Sequence, residues 1–269
     1  ESLIYNYFRG LNSNEFSRKF TVGFNLIEKL RYGENPHQEG AIYSASENLN
    51  LDKLNGKQLS YNNYSDIFAA LQISKTFPNK KGTVIVKHGN PCGVSVHENN
   101  IESFLHAYKC DPLSAYGGIV SCNFKVSKKL ALELNKLFFE VIIANGFDKD
   151  ALYLLKRKKN LRLIDSKNYK ISNNNNLISN MDFALSQNPD VKNFKYHDFK
   201  VVSKNKPNKK TFDNLIFAFN VCRFVKSNAI VLTNEKSTVG IGSGQPSRLD
   251  SCDIAIKKMN LFQNLSNKE

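Results

Sequence analysis

The chain has 269 residues, 41% of them hydrophobic, enough to bury one large core or two smaller ones. No run of about 18 apolar residues occurs, which excludes a transmembrane helix. The formal net charge of +14 invites a nucleic-acid reading, but the lysines are scattered and no helix-turn-helix, zinc-finger or aromatic-basic RNA motif accompanies them.

The first residues, Glu1-Ser-Leu-Ile-Tyr-Asn6, have neither the basic start nor the apolar stretch of a signal peptide. With no initiator Met, the chain is expected to be cut from a longer one. Residues 65–77 repeat apolar positions at helical spacing, with Ser65 as a cap, and residues 83–87 read as a strand. Then come a helix over 101–108, a strand over 118–122, a helix over 127–138 and a strand over 141–144. A helix over 149–157 and a strand over 161–164 complete this first series.

The polar tract Ser172-Asn-Asn-Asn-Asn176 is the clearest break and is expected to be a mobile surface loop. Beyond it, residues 183–185 and 198–202 are short strand candidates, and 209–225 a helix. A second unit opens with strands over 229–233 and 238–241 and a helix over 247–259. This alternation predicts an α/β layered sheet with helices on both faces. The expected organisation is a first subdomain with its lead-in over 1–170, connecting segments over 171–210, and a second, partial subdomain over 211–269.

The five cysteines, Cys92, Cys110, Cys122, Cys222 and Cys252, are odd in number, widely spaced and without a C-x-x-C pair. They read as reduced thiols of a cytoplasmic protein, not as a disulfide frame or a zinc site. The surplus of lysine reads first as compositional bias on a solvated surface, and second as steering for anionic small molecules.

The chemistry concentrates in Val84-Ile-Val-Lys-His-Gly-Asn-Pro-Cys-Gly93. Three β-branched residues carry Lys87 and His88 to a strand end, and Asn90, Pro91 and Gly93 are expected to stop the strand. An imidazole can accept a proton near neutral pH, and an ammonium can stabilise a developing oxyanion. Taken alone, the pair reads first as a Lys capping the strand mouth and a His packed in the core or bonded to backbone.

Arg31 and Tyr32 stand before the polar loop Asn35-Pro-His-Gln38, where Arg suits a phosphate and Tyr a flat ring. A plain surface loop is an even alternative. Gly240-Ile-Gly-Ser-Gly-Gln245 looks like a phosphate loop, but Gln245-Pro246 stands where the Lys-Ser/Thr of that motif is required, and the G-x-G-x-x-G spacing is absent.

Seven segments, taken in order, resemble one family. They are Leu30-Arg-Tyr-Gly-Glu-Asn-Pro-His-Gln38, Leu59-Ser-Tyr-Asn-Asn63 with Asp66, the Lys87-His88 segment, and Asp111-Pro-Leu-Ser-Ala-Tyr-Gly-Gly118. Phe139-Glu-Val-Ile-Ile-Ala144, Lys226-Ser-Asn-Ala229 and Gly240-Ile-Gly-Ser-Gly-Gln-Pro-Ser-Arg248 complete the set. Together they resemble the AICAR transformylase part of the bifunctional purine biosynthesis enzymes, which also carry IMP cyclohydrolase.

The resemblance implies subdomains of cytidine-deaminase-like fold, the first complete and the second only begun. It implies formyl transfer from 10-formyltetrahydrofolate, as co-substrate, to the 5-amino group of AICAR in IMP synthesis. It further implies a homodimer with shared sites, and neither nucleic acid nor a membrane as partner. By the same resemblance Lys87, His88 and Asn228 are catalytic. Arg31, Tyr32, Asn63, Ser114, Gly117, Glu140, Gln245 and Arg248 then bind the substrates, with Gly118 completing a tight approach.

The zinc deaminase signature is missing, since Asn90-Pro-Cys-Gly93 offers one Cys and no second ligand, so no metal is expected. The family's Phe-Phe-Pro-Phe segment has no counterpart after Met259. A fragment inactive alone, serving as a nucleotide-binding or dimerisation module, is therefore the alternative.

Overall fold

The computed structural model describes residue 4 and residues 21–78, 80–171, 176–179 and 182–263. It divides into two compact units, Glu1–Asn50 with Gln58–Tyr61, and Leu51–Lys57 with Asn62–Glu269.

In the smaller unit, β1 (Asn25–Leu30) and β2 (Gly40–Ser44) pair antiparallel, with a bulge between Leu26 and Glu28. The connecting loop closes on itself, with the Gly33 N–H donating to the Gln38 carbonyl at 2.7 Å and the Asn35 N–H to Gln38 Oε1 at 2.8 Å. The Gln58 amide ties in by donating to Glu28 Oε1 at 3.0 Å and to the Lys29 carbonyl at 2.8 Å. Charged Glu28 and Lys29 interrupt the apolar pattern, which is why this hairpin escapes a sequence reading.

The larger unit runs β3 (Asp52–Asn55), α1 (Tyr61–Ser74), β4 (Gly82–Lys87), β5 (Asn90–Val96), α2 (Asn100–Cys110), α3 (Pro112–Ala115) and β6 (Ile119–Cys122). It continues with α4 (Lys128–Lys136), β7 (Val141–Ala144), α5 (Lys149–Lys156), β8 (Arg162–Asp165), β9 (Asn176–Ser179) and β10 (Ala184–Gln187). It ends with α6 (Lys209–Cys222), β11 (Ile230–Asn234), β12 (Ser237–Gly242) and α7 (Arg248–Gln263).

Eight strands form one mixed sheet in the order β11-β12-β5-β4-β6-β7-β8-β3. β6, β7 and β8 are parallel neighbours, and every other pairing is antiparallel. β9 and β10 form a separate hairpin.

Side-chain alternation along the strands assigns the layers. Ile85, Val120, Ile142 and Leu163 share a core with Phe104 of α2 and Leu130 of α4. Ser121 turns the other way, and its hydroxyl meets that of Ser74 in α1 at 2.9 Å. Helices thus cover both faces, as the alternation of elements predicts.

Three differences from the sequence reading have local causes. α1 begins at Tyr61 instead of residue 65, because polar Asn63 occupies the first buried position and hides the helical period. Asn90–Val96 is a strand, not a stop: Pro91 lies at a register shift, and Gly93 admits the backbone of α2. Residues 198–202 form no strand. Asp198 instead ends a 3-10 turn, accepting the Lys195 N–H at 2.8 Å and pairing with Lys192 at 2.7 Å.

The boundary expected near residue 211 does not interrupt the sheet. Ser237 of β12 pairs with Ser95 of β5, and the Thr238 hydroxyl accepts the Val94 N–H at 2.9 Å. Residues 172–175 of the polar tract lie outside the described residues, and Asn176 opens β9.

Two glycines set how closely helices approach the sheet. A Cβ on Gly93 would overlap the Ala107 carbonyl of α2, and one on Gly242 would overlap the Ser251 carbonyl of α7. A Cβ on Gly89 would meet nothing within 4 Å. Gly93→Ala and Gly242→Ala are therefore expected to cost about 3 kcal/mol each through overpacking. Gly89→Ala should cost only the left-handed backbone, about 1–2 kcal/mol. Urea unfolding of the three variants checks this, and equal small losses would show that both helices simply step aside.

Candidate active site

β4 ends in a two-residue turn whose central residues, His88 and Gly89, have φ of 52° and 72°. A hairpin of this type requires positive φ at both positions, which favours Asn and Gly. His at the first position costs about 1–2 kcal/mol of backbone strain. Side chains from elsewhere hold it there. Half-buried Asp66 of α1 accepts the His88 N–H through Oδ2 at 3.2 Å and the Gly89 N–H through Oδ1 at 2.6 Å.

Asn90 secures the other side. Its amide nitrogen donates to the His88 carbonyl at 3.2 Å, and its Oδ1 accepts the Lys226 N–H at 3.1 Å. The exposed His88 imidazole makes no hydrogen bond among the described residues. Lys87 donates to the Tyr116 carbonyl at 2.7 Å, one use of an ammonium with three donors.

The turn sits on a rim built by strand direction. β4 runs antiparallel to β6, so its end lies beside the start of β6, and β7 and β8 start on the same side because they are parallel to β6. Backbone bonds stitch this edge. The Gly117 N–H donates to the Phe138 carbonyl at 2.9 Å, Glu140 to Gly118 at 3.1 Å, and Arg162 to Glu140 at 3.1 Å. Asn63 donates to Glu140 Oε2 at 2.9 Å, and the Arg162 guanidinium lies 3.5 Å from the same oxygen. Ser114 lies in the short α3 beside this edge, its N–H donating to Oδ1 of the capping Asp111 at 2.9 Å.

On the other side of the turn lie the segment before β11 and the glycine loop after β12. Asn228 donates its side-chain nitrogen to the carbonyls of Gln245 at 3.0 Å and Pro246 at 2.8 Å. Its own carbonyl accepts the Ser251 hydroxyl at 2.9 Å. The Gly244 N–H donates to the Lys226 carbonyl at 2.7 Å, and the Gln245 amide to the Ser243 carbonyl at 3.1 Å. The sequence reading has Asn228 donating and accepting at once. Here both amide donors are committed to the loop, and Oδ1 is left as the acceptor. Arg248, exposed, opens α7 directly after this loop.

Lys87, His88, Asn63, Ser114, Gly117, Glu140, Asn228, Gln245 and Arg248 thus gather along one edge of the large unit. Arg31 and Tyr32 belong to the smaller unit. There the Arg31 guanidinium donates to the Tyr32 hydroxyl at 2.9 Å and lies 4.7 Å from its ring centre.

Asp66 and Arg162 carry no role in the sequence reading. Arg162 is signalled only by a charge inside the apolar run Leu161-Arg-Leu-Ile164, and its side chain is 11% exposed. Among the described residues, no group of three or more His, Cys, Asp or Glu could hold a metal ion. Burial pushes the thiols of Cys92, Cys110 and Cys122 up to about 12, so none serves as a thiolate nucleophile. What the rim offers is an exposed imidazole, an ammonium with spare donors and an amide acceptor, a set fit for proton transfer and oxyanion stabilisation.

Burial raises the Asp66 carboxyl above its ordinary 3.8, against the pull of the Gly89 and His88 N–H groups and of the His88 side chain, while Glu140 adds to the rise. Between 3.8 and the folded-state value the native protein binds more protons than the unfolded chain, so stability falls as pH rises through that window. Asp66→Asn removes this linkage. The stability difference, wild type minus variant, is expected to decline from below 3.8 toward neutral pH in urea unfolding, and a flat difference would contradict a raised carboxyl.

The sequence model of a family described as the AICARFT/IMPCHase bienzyme matches residues 1–258. The chain is similar to the bifunctional purine biosynthesis protein PurH of Oceanobacillus iheyensis, 38% identical over 264 residues, covering 96% of this chain and 52% of that protein. The PurH of Caldicellulosiruptor bescii is 40% identical over 96% of this chain and 52% of its own length. That of Persephonella marina is 43% identical over 92% of this chain and 49% of its own length. The chain therefore spans about half the length of the curated relatives it matches. With a match running through residue 258, and with the Lys87-His88 turn and the glycine loop inside it, the chain belongs to the AICARFT/IMPCHase bienzyme family.

Proposed function

We propose that this chain provides the formyl-transfer site of a purine biosynthesis enzyme, moving the formyl group of 10-formyltetrahydrofolate to the 5-amino group of AICAR. The longer protein of which it is part also carries IMP cyclohydrolase. The observation that carries this reading is the exposed, unbonded His88 imidazole on the strained turn, with the Lys87 ammonium beside it.

The AICAR amine is a weak nucleophile, because its lone pair is delocalised toward the carboxamide. Attack on the formyl carbon builds an N–C bond, and the nitrogen must lose a proton as the oxyanion forms. His88 takes that proton. Lys87 presents its remaining donors to the oxyanion, and Asn228 Oδ1 receives an N–H of the substrate. Collapse of the intermediate expels tetrahydrofolate, whose nitrogen takes the proton back from His88. Arg31 grips the ribotide phosphate with Tyr32 against the ring, while Asn63, Glu140, Ser114 and Gly117 line the nucleotide side, and Gln245 and Arg248 lie near the ligands.

On the same reading the protein is a cytoplasmic homodimer with shared sites, built from cytidine-deaminase-like subdomains. Residues 211–269 open the second subdomain, and the chemistry requires no metal.

His88→Ala in the full-length protein is expected to lower turnover by ~100-fold while AICAR affinity changes little. A full-rate variant removes His88 from the chemistry. Arg31→Ala should weaken the ribotide by about tenfold or more and the dephosphorylated riboside hardly at all, as expected for loss of a charge-assisted phosphate bond. Calorimetry with both ligands checks this, and equal losses would detach Arg31 from the phosphate. Binding of AICAR without any binding of a folate analogue would favour a nucleotide-binding module over an enzyme.

A further inference from the structure

The His88 turn carries a feature that a hairpin does not need for its own stability. A two-residue turn of this kind is satisfied by Asn-Gly without outside help. Here a His with φ of 52° occupies the first position, and a carboxylate from another element reaches both of the turn's N–H groups, at 3.2 and 2.6 Å. A half-buried carboxylate costs stability through desolvation, so its presence calls for a return elsewhere.

We propose that Asp66 is a positioning residue for His88, its two carboxylate oxygens holding the turn in the left-handed conformation that aims the imidazole at substrate. The inference rests on the formyl-transfer reading for its kinetic consequence, but not for its structural one.

Geometry supports the assignment on three counts. Each oxygen serves a different N–H, so the carboxylate holds both peptide planes that flank His88, Lys87–His88 and His88–Gly89. Asn63, one turn earlier on the same face of α1, donates to Glu140, which also faces the Arg162 guanidinium, and these contacts anchor the helix against the rim. Asn90 binds the His88 carbonyl from the opposite side, so both peptide groups of His88 are held. The side chain itself is left without a bond, as a group reserved for substrate would be. Asn at position 66 could not replace Asp, because it has one acceptor oxygen and its NH2 would oppose the second N–H.

The test uses the full-length protein with Asp66→Asn, Asp66→Glu, His88→Ala and the double variant His88→Ala/Asp66→Asn. Asp66→Asn is expected to lower kcat by ~10-fold or more while KM for AICAR stays within about threefold. Asp66→Glu, which keeps two acceptor oxygens, should recover part of the loss. In the His88→Ala background Asp66→Asn should add almost nothing, because a residue acting through His88 has nothing left to act on. Equal losses in both backgrounds would overturn the proposal in favour of a general structural role.

Amide exchange supplies a second readout that needs no activity. The His88 and Gly89 N–H groups should exchange ~10-fold or more faster in Asp66→Asn, with Val84 and Val86 unchanged. Unchanged turn amides would also overturn the proposal. If His88→Ala keeps full turnover while the turn amides respond to Asp66, the formyl-transfer reading fails and the structural assignment stands.

Discussion

Val84, Ile85 and Val86 are fully buried because β4 has a strand on each edge and a helix on each face. Much of the large unit follows from that burial. A slip of β4 by one residue would turn Ile85 out of the core shared with Phe104 and turn Val84 and Val86 into it, changing the packed volume on both faces. Its direction is then fixed against β6, and Lys87 and His88 must emerge beside the starts of β6, β7 and β8. A side chain on a strand end with a fixed register inherits the rigidity of the whole sheet.

The rim itself is built from polar groups that a core would reject. Glu140 accepts from Asn63 and pairs with Arg162, and Asn228 gives its amide donors to the glycine loop. These bonds tie strand ends to a helix and to the loops beside them, and so they shape the edge of the sheet. Asp66 is the costly member, since burial resists its ionised form while the turn requires two acceptors. Close glycine contacts at Gly93 and Gly242 complete the frame by letting α2 and α7 lie directly on β5 and β12.

Much of the sheet is legible from patterning. β4, β6 and β7 are short apolar runs bounded by Gly, Asn and Lys, and α2 and α4 announce themselves through Asn99 and Ser127, each a cap whose side chain accepts N–H groups of the first turn. The misses share one cause. β5 contains Pro91 and Gly93, which read as breakers until the bulge and the approach of α2 explain them. α1 hides its start because its first buried residue is Asn63, whose polarity makes sense only once Glu140 stands opposite, 77 positions away in the chain. β1 and β2 carry charges in a pattern too irregular to count as alternation.

What the sequence determined by itself is the list of chemistry-bearing residues and the alternation of elements, because residue type and local period are properties of short segments. The Lys87-His88 pair, the Arg31-Tyr32 loop and the glycine loop are all visible as strings. Only the tertiary structure decided which groups are already spoken for. It committed the Asn228 donors to Gln245 and Pro246, turned Lys87 toward Tyr116, and left the His88 imidazole unbonded. It also brought Asp66 and Arg162 to the rim, residues whose partners lie 22 positions away at His88 and at Glu140 across a strand boundary. Hydrogen bonds between distant segments depend on the register of the sheet, and no local window of sequence contains that register.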